Sequence, residues 1–199
     1  MPFKTVKKIA DADFPSRWGH FRVMGFEGDT GTKIDEAVVL VMGDIQSGAP
    51  ILRIHSQCLT GDVFHSLRCD CRQQLELAMA AIAEAGTGIL LYELQEGRGI
   101  GLMAKLRAYE LQDQGRDTIQ ANLDLGFKAD CREYELPAEI LKQLGVKSVR
   151  LMTNNPDKVA ALESAGIQVS ERLSAEVATV PAAAKYMKTK REKMGHLVS

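Results

Sequence analysis

The run Ser148-Val149-Arg150-Leu151-Met152-Thr153-Asn154-Asn155-Pro156 decides how the chain is organised. Ser148 to Met152 carries the apolar, β-branched character of a strand, and the segment after it has the residues that start a helix. Asn155 fits the capping position, and Pro156 fits the first helical position, where a missing N–H costs nothing. A strand that feeds directly into a helix N-terminus is also a place where free backbone N–H groups can hold an anion. Working outward, strand-like runs occur at Phe21–Phe26, Ala37–Val41, Ile51–His55, Ile89–Tyr92 and Ile167–Ser170. The first three follow one another, which predicts an N-terminal antiparallel β region. From Arg72 the period changes: Leu75, Met79, Ile82 and Ala83 recur at helical spacing until Gly86. Further helices are predicted from Leu102 to Gln114, stopped by Gly115, and from Pro137 to Leu144, stopped by Gly145. Ala182 to Lys193 reads as a charged helix, giving a helical tail over about 182–199. The fold class is α+β (mixed α/β), an antiparallel β region followed by alternating helices and strands in a single domain over 1–199.

The 199 residues, 45% hydrophobic and 26% charged, have the composition of an ordinary globular protein and exclude intrinsic disorder. A net charge of −1 supplies no basic excess for neutralising phosphates, so nucleic acid is not an expected partner. No apolar run reaches the length of a membrane helix. Met1 to Pro15 has lysines but no apolar core of a secretory signal, so the expected location is the cytoplasm, where thiols stay reduced.

That expectation bears on Cys58, Cys69, Cys71 and Cys131. In a reducing compartment, three clustered cysteines point to metal binding before disulfides. Thiolates suit zinc, and three of them leave one tetrahedral position open. Water there would make the site catalytic, and His55 there would make it a closed structural site. Spacing alone leaves both readings standing, beside the plainer one of buried thiols with no metal. Cys131, far along the chain, reads as a non-ligand thiol.

The loop Glu96-Gly97-Arg98-Gly99-Ile100-Gly101 follows a strand and opens a helix. Leu102 stands where a dinucleotide fingerprint needs its third glycine, and no Gly-Lys-Ser/Thr follows, so neither nucleotide motif applies. What remains is a glycine-rich turn whose Arg98 could approach a phosphate or a base, or a turn that simply needs glycine. Lys105 and Arg107 on the next helix read as a solvated face. Tyr109 reads either as a core tyrosine or as a proton donor. Asp130 and Arg132, taken alone, read as a surface ion pair.

Together these segments resemble GTP cyclohydrolase II, the family that opens riboflavin biosynthesis. The resemblance rests on H-S-Q-C-L-T-G-D at 55–62, S-L-R-C-D-C at 66–71 and Q-E-G-R-G-I-G-L at 95–102. It continues through R-A-Y-x-L-Q-D-Q-G at 107–115, N-x-x-L-G-F-x-A-D at 122–130, L-M-T-N-N-P-x-K at 151–158 and K-x-E-K-M-G-H at 190–196. It implies a monofunctional form, with a catalytic zinc on Cys58, Cys69 and Cys71. The implied reaction is hydrolysis of GTP at C8 of the guanine imidazole ring. Release of formate and pyrophosphate would leave 2,5-diamino-6-(5-phosphoribosylamino)pyrimidin-4-one. Tyr109 would assist at the purine, Asp130 would be the general base, and Arg132 would engage the α-phosphate. The implied GTP contacts are Arg53, Ile54, His55, Ser56, Gln57, Gln74, Glu96, Gly97, Arg98, Thr118, Thr153 and Lys158. Magnesium would accompany the triphosphate, and the chain would form a homodimer.

The sequence departs from the family pattern at four places. Gln57 replaces a common Glu, which removes a negative charge and a proton acceptor beside the first thiol. Arg72 stands where glycine is common, Gly99 where Asn is common, and Cys131 lies between Asp130 and Arg132. Two other readings are a family member that stops at a ring-opened formamidopyrimidine nucleotide and a nucleotide-binding module with structural zinc only.

Overall fold

The computed structural model describes residues 3–128 and 130–177, so the tail expected over 182–199, with the motif at 190–196, lies outside the described residues. The chain divides into two units. The first takes in the residues up to His55, Glu76–Leu94 and Tyr134–Ala175, and the second takes in Ser56–Leu75 and Gln95–Glu133.

The first unit is built on a seven-stranded mixed sheet in the order β1-β2-β3-β5-β4-β6-β7. Its strands are β1 (Thr5–Ser16), β2 (Gly19–Asp29), β3 (Ile34–Met42), β4 (Ile51–Ser56), β5 (Gly88–Glu93), β6 (Ser148–Met152) and β7 (Gln168–Leu173). β1, β2, β3 and β5 are joined by antiparallel pairings, with Val39 opposite Leu91 and Val41 opposite Ile89. β6 pairs parallel to both β4 and β7. This bears out the α+β class and corrects one detail of it. The third strand-like run, Ile51–His55, does not extend the antiparallel meander, because β5 lies between β3 and β4. Burial gives the reason: Ile51 to His55 are all buried, as in a strand covered on both faces, whereas β3 alternates in its first half.

β1 has no counterpart among the sequence expectations. Nearly all of its residues are exposed, so no apolar alternation marks it, and backbone pairing to β2 makes it a strand.

The helices are α1 (Leu59–Asp62), α2 (Cys71–Ala85), α3 (Leu102–Asp113), α4 (Thr118–Asp124), α5 (Glu135–Gln143) and α6 (Pro156–Ser164). α2, α3 and α5 match the predicted helices within a few residues, and α6 starts at Pro156 as predicted. Asn155 caps α6 through its side chain, which accepts from Asp157 N at 3.0 Å. The apolar core lies within the first unit, where Val39, Leu52, Ile54 and Leu91 of the sheet pack with Ile140 of α5 and Leu162 of α6. The second unit holds α1, α3, α4 and the thiols. Its buried apolar residues, among those described, are small: Cys58, Cys69, Ala108 and Ala121. No described helix is long and apolar enough to cross a membrane.

Candidate metal centre

α1 is a single turn that begins just after Cys58, and Cys69 and Cys71 come back to it around the start of α2. The three sulfurs lie within 4.8 Å of one another, and Cys58 Sγ is 3.7 Å from Cys69 Sγ. Gly61 makes this approach possible: a Cβ at that position would lie 2.8 Å from Cys69 Sγ and 3.1 Å from Cys58 Sγ. The loop is fixed by Asp62, whose Oδ2 accepts from Cys58 N at 3.0 Å, and by Arg72, which donates to the Asp62 carbonyl at 2.7 Å. Arg72 therefore braces the loop that carries the thiols.

Three buried or half-buried thiols gathered around a glycine-sized gap form a donor set that fits zinc. Among the described residues, neither His55 nor Cys131 belongs to that group. Their sharing of protons is uneven. Hydrogen bonds from Cys69 and Cys71, helped by the Lys105 charge, hold Cys58 far below the ordinary thiol range. The hydrogen bond to Cys58 in turn pushes Cys69 up to about 11, and hydrogen bonding and burial raise Cys71 well above the ordinary range.

Around the sulfurs stands a set of polar groups. Lys105 Nζ donates to Cys58 Sγ at 3.1 Å and to Glu96 Oε1 at 2.7 Å. Burial lowers the affinity of Lys105 for its proton, but the Cys58 charge and the Glu96 hydrogen bond outweigh it, so it stays an ammonium. Glu96 accepts from Leu59 N at 2.7 Å and from Gly97 N at 2.9 Å, which occupies both carboxylate oxygens within the protein. Tyr109 OH bonds Thr60 Oγ1 at 3.1 Å, and Thr60 Oγ1 is 3.7 Å from Cys58 Sγ. Burial raises the Tyr109 pKa, so the phenol keeps its proton near neutral pH. The Arg68 guanidinium lies 4.8 Å from the centre of the Tyr109 ring.

Elsewhere in the second unit, Asp130 and Arg132 form a bidentate pair. Arg132 Nε lies 2.9 and 3.1 Å from the two Asp130 oxygens, and Nη2 donates to Oδ2. Burial would raise Asp130, but the Arg132 hydrogen bonds and charge hold it below the ordinary carboxylate range. Cys131 N donates to Arg98 O at 3.0 Å, which links this segment to the turn at Glu96–Gly99. In that turn Arg98 adopts φ +63°, a left-handed conformation that is strained for a residue with a Cβ. Thr118 starts α4 behind its cap Asp117, and Gln74 donates to Asp70 at 2.6 Å. Gln57 and Ser56 are half-buried beside Cys58.

In the first unit, parallel pairing of Ile51 with Arg150 and of Leu52 with Leu151 aligns the C-terminal ends of β4 and β6. This brings Arg53, Ile54 and His55 to the same end of the sheet as Thr153 and Lys158. Arg53 Nη1 donates to Met152 O at 3.0 Å, and Lys158 Nζ donates to Ile54 O at 2.7 Å while lying 5.4 Å from the centre of the Tyr134 ring. His55 stacks on Tyr92, and Thr153 Oγ1 accepts from Asn155 N at 3.0 Å. Lys105, Thr60 and Gly61 were not singled out as site residues by the sequence. Thr60 and Gly61 stand inside the motif at 55–62 without a role of their own, and Lys105, one helical turn before Tyr109, is explained equally well by a solvated face.

The GTP cyclohydrolase II family matches residues 7–174. A "GTP cyclohydrolase-2" from Actinobacillus succinogenes is 52% identical over 194 residues, 97% of this chain and 88% of its own. One from an Enterobacter species is 54% identical over 195 residues, 98% of either chain. A "Riboflavin biosynthesis protein RibBA" from Salinispora tropica is 53% identical over 197 residues, which are 98% of this chain and 49% of that relative. The chain belongs to the GTP cyclohydrolase II family of hydrolytic enzymes.

Proposed function

We propose that the protein hydrolyses GTP in riboflavin biosynthesis with zinc held by Cys58, Cys69 and Cys71. In this reading it opens the guanine imidazole ring and releases formate and pyrophosphate, leaving 2,5-diamino-6-(5-phosphoribosylamino)pyrimidin-4-one. The observation that carries the reading is the gathering of these three sulfurs beside Tyr109 in a chain of this family. When bound, zinc supplies a Lewis acid and a water acidic enough to attack carbon at neutral pH.

The chain's own residues do the rest. Gly61 lets the sulfurs converge, and Asp62 and Arg72 hold their loop. Tyr109, protonated and oriented by Thr60, offers a hydrogen bond to a purine atom. Asp130, kept ionised by Arg132, is the proton acceptor, and Arg132 keeps its charge for a phosphate oxygen. Arg53 to Gln57, Gln74, Glu96 to Arg98, Thr118, Thr153 and Lys158 as GTP contacts belong to the same proposal, as do magnesium on the triphosphate and a homodimer. Each contact is tested by the KM for GTP of its alanine variant.

The deciding experiment incubates the zinc-loaded protein with GTP and Mg²⁺ and assays formate and pyrophosphate separately. One of each per GTP is expected, with formate lost in Cys69→Ser. Zinc-replete, folded protein that consumes no GTP overturns the proposal. Ring opening without formate would instead favour the formamide-retaining reading, which Gln57 supports because an amide cannot accept a proton.

A further inference from the structure

Lys105 looks like a surface residue in the sequence, yet its side chain is only 11% exposed. A lysine ammonium brings three donor protons, and burying it is costly unless they find partners. Two of them do, and the choice of partners is informative. One is the Glu96 carboxylate, itself buried, and the other is Cys58 Sγ. The same carboxylate accepts from Leu59 N, the backbone donor that follows Cys58 in the chain. Hydrogen bonds run from Leu59 N to the Glu96 carboxylate, from Lys105 Nζ to that carboxylate and from Lys105 Nζ to Cys58 Sγ, and the ring closes through the covalent Cys58–Leu59 link. The backbone of the next turn is pressed onto the lysine stem: a Cβ on Gly97, which has φ +62°, would lie 3.0 Å from Lys105 Cβ.

We propose that Lys105 is a positioning residue for the metal centre, gripping the Cys58 sulfur and the Glu96 turn together and offsetting the charge of a three-thiolate site. Three thiolates around a dication carry a net charge of −1, and the ammonium beside one sulfur cancels it. An N–H donated to a coordinating sulfur also withdraws electron density from it, which leaves the ion a stronger Lewis acid. A lysine that only paired with Glu96 would need no contact with sulfur. The inference rests on the proposed metal at the three thiols, and its test separates the two.

The protein is loaded with zinc for chelator competition and with cobalt for spectroscopy. In Lys105→Met, zinc should bind about 10–100-fold more weakly, the loss typical when a ligand's hydrogen-bond partner is removed. The sulfur-to-cobalt charge-transfer band should move to longer wavelength, because the sulfur lone pair loses its donor. Lys105→Arg should restore part of both. Glu96→Gln keeps the ammonium on sulfur, so its band should stay at the wild-type position; a band shifted as in Lys105→Met would make the effect general loosening and overturn the inference. Folded Lys105→Met with wild-type zinc affinity and an unshifted band overturns it as well. If Lys105→Met does not fold, Lys105→Gln is measured in the same two ways, and weaker zinc with a shifted band supports the inference while wild-type values overturn it. Wild-type protein that binds neither metal overturns the metal reading together with this inference.

Discussion

At the scale of single residues, the site depends on atoms that are absent as much as on those present. Gly61 leaves space for the Cys58 and Cys69 sulfurs and for Cys71 Cβ, and a methyl group there would overlap Cys69 Sγ. Gly61→Ala should therefore weaken zinc binding at least about tenfold by chelator competition, by analogy with other disturbances next to metal ligands. Cys131→Ser should keep its zinc by metal analysis, since Cys131 lies outside the thiol group. Asp130 gives a pH prediction. Its pKa in the folded protein is below the ordinary value, so the Arg132 pair adds stability above about pH 4 and loses it as pH falls through the folded value. The unfolding free-energy difference between wild type and Asp130→Asn should thus be constant from pH 7 to about 5 and shrink below about 4. A difference that grew on acidification would refute that sign.

At the scale of elements, short pieces of structure hold the functional side chains, and local hydrogen bonds hold those pieces. α4 is two turns long and too short to be stable by propensity alone. Asp117 caps it by accepting from Ile119 N and Gln120 N, both at 2.9 Å. Asp117→Ala should cost about 1 kcal/mol in urea unfolding, the usual value of a lost cap. Because the cap precedes Thr118, the same variant should raise the KM for GTP if Thr118 contacts substrate. β4 stands at the other extreme, buried along Ile51 to His55. Ile54→Ala should cost about 2–5 kcal/mol, as cavities in well-packed cores do.

At the scale of the whole molecule, cohesion is unevenly distributed. The apolar cluster lies within the first unit, while the described buried apolar residues of the second are two cysteines and two alanines. A unit with so little apolar burial relies on its polar network and on any ion that clips its loops together. Removing metal with a chelator should therefore raise hydrogen exchange in α3 and α4 while β2, β3 and β5 keep their protection. Uniform loss of protection in both units would show that the metal stabilises the fold globally.

The sequence determined what local chemistry dictates. Gly86, Gly115 and Gly145 stop helices, Asn155-Pro156 starts one, and the thiol clustering picks out Cys58, Cys69 and Cys71, because each of these signals is complete within a short stretch of chain. β1 was illegible, since an exposed strand has no apolar alternation and exists through its pairing with β2. The place of β4 beside β5 and β6 was also beyond local reading, because strand order depends on partners distant in the chain. The same holds for Lys105. Nothing in its neighbours distinguishes it from a solvated lysine, and only tertiary packing brings a buried sulfur and a buried carboxylate within reach of its ammonium.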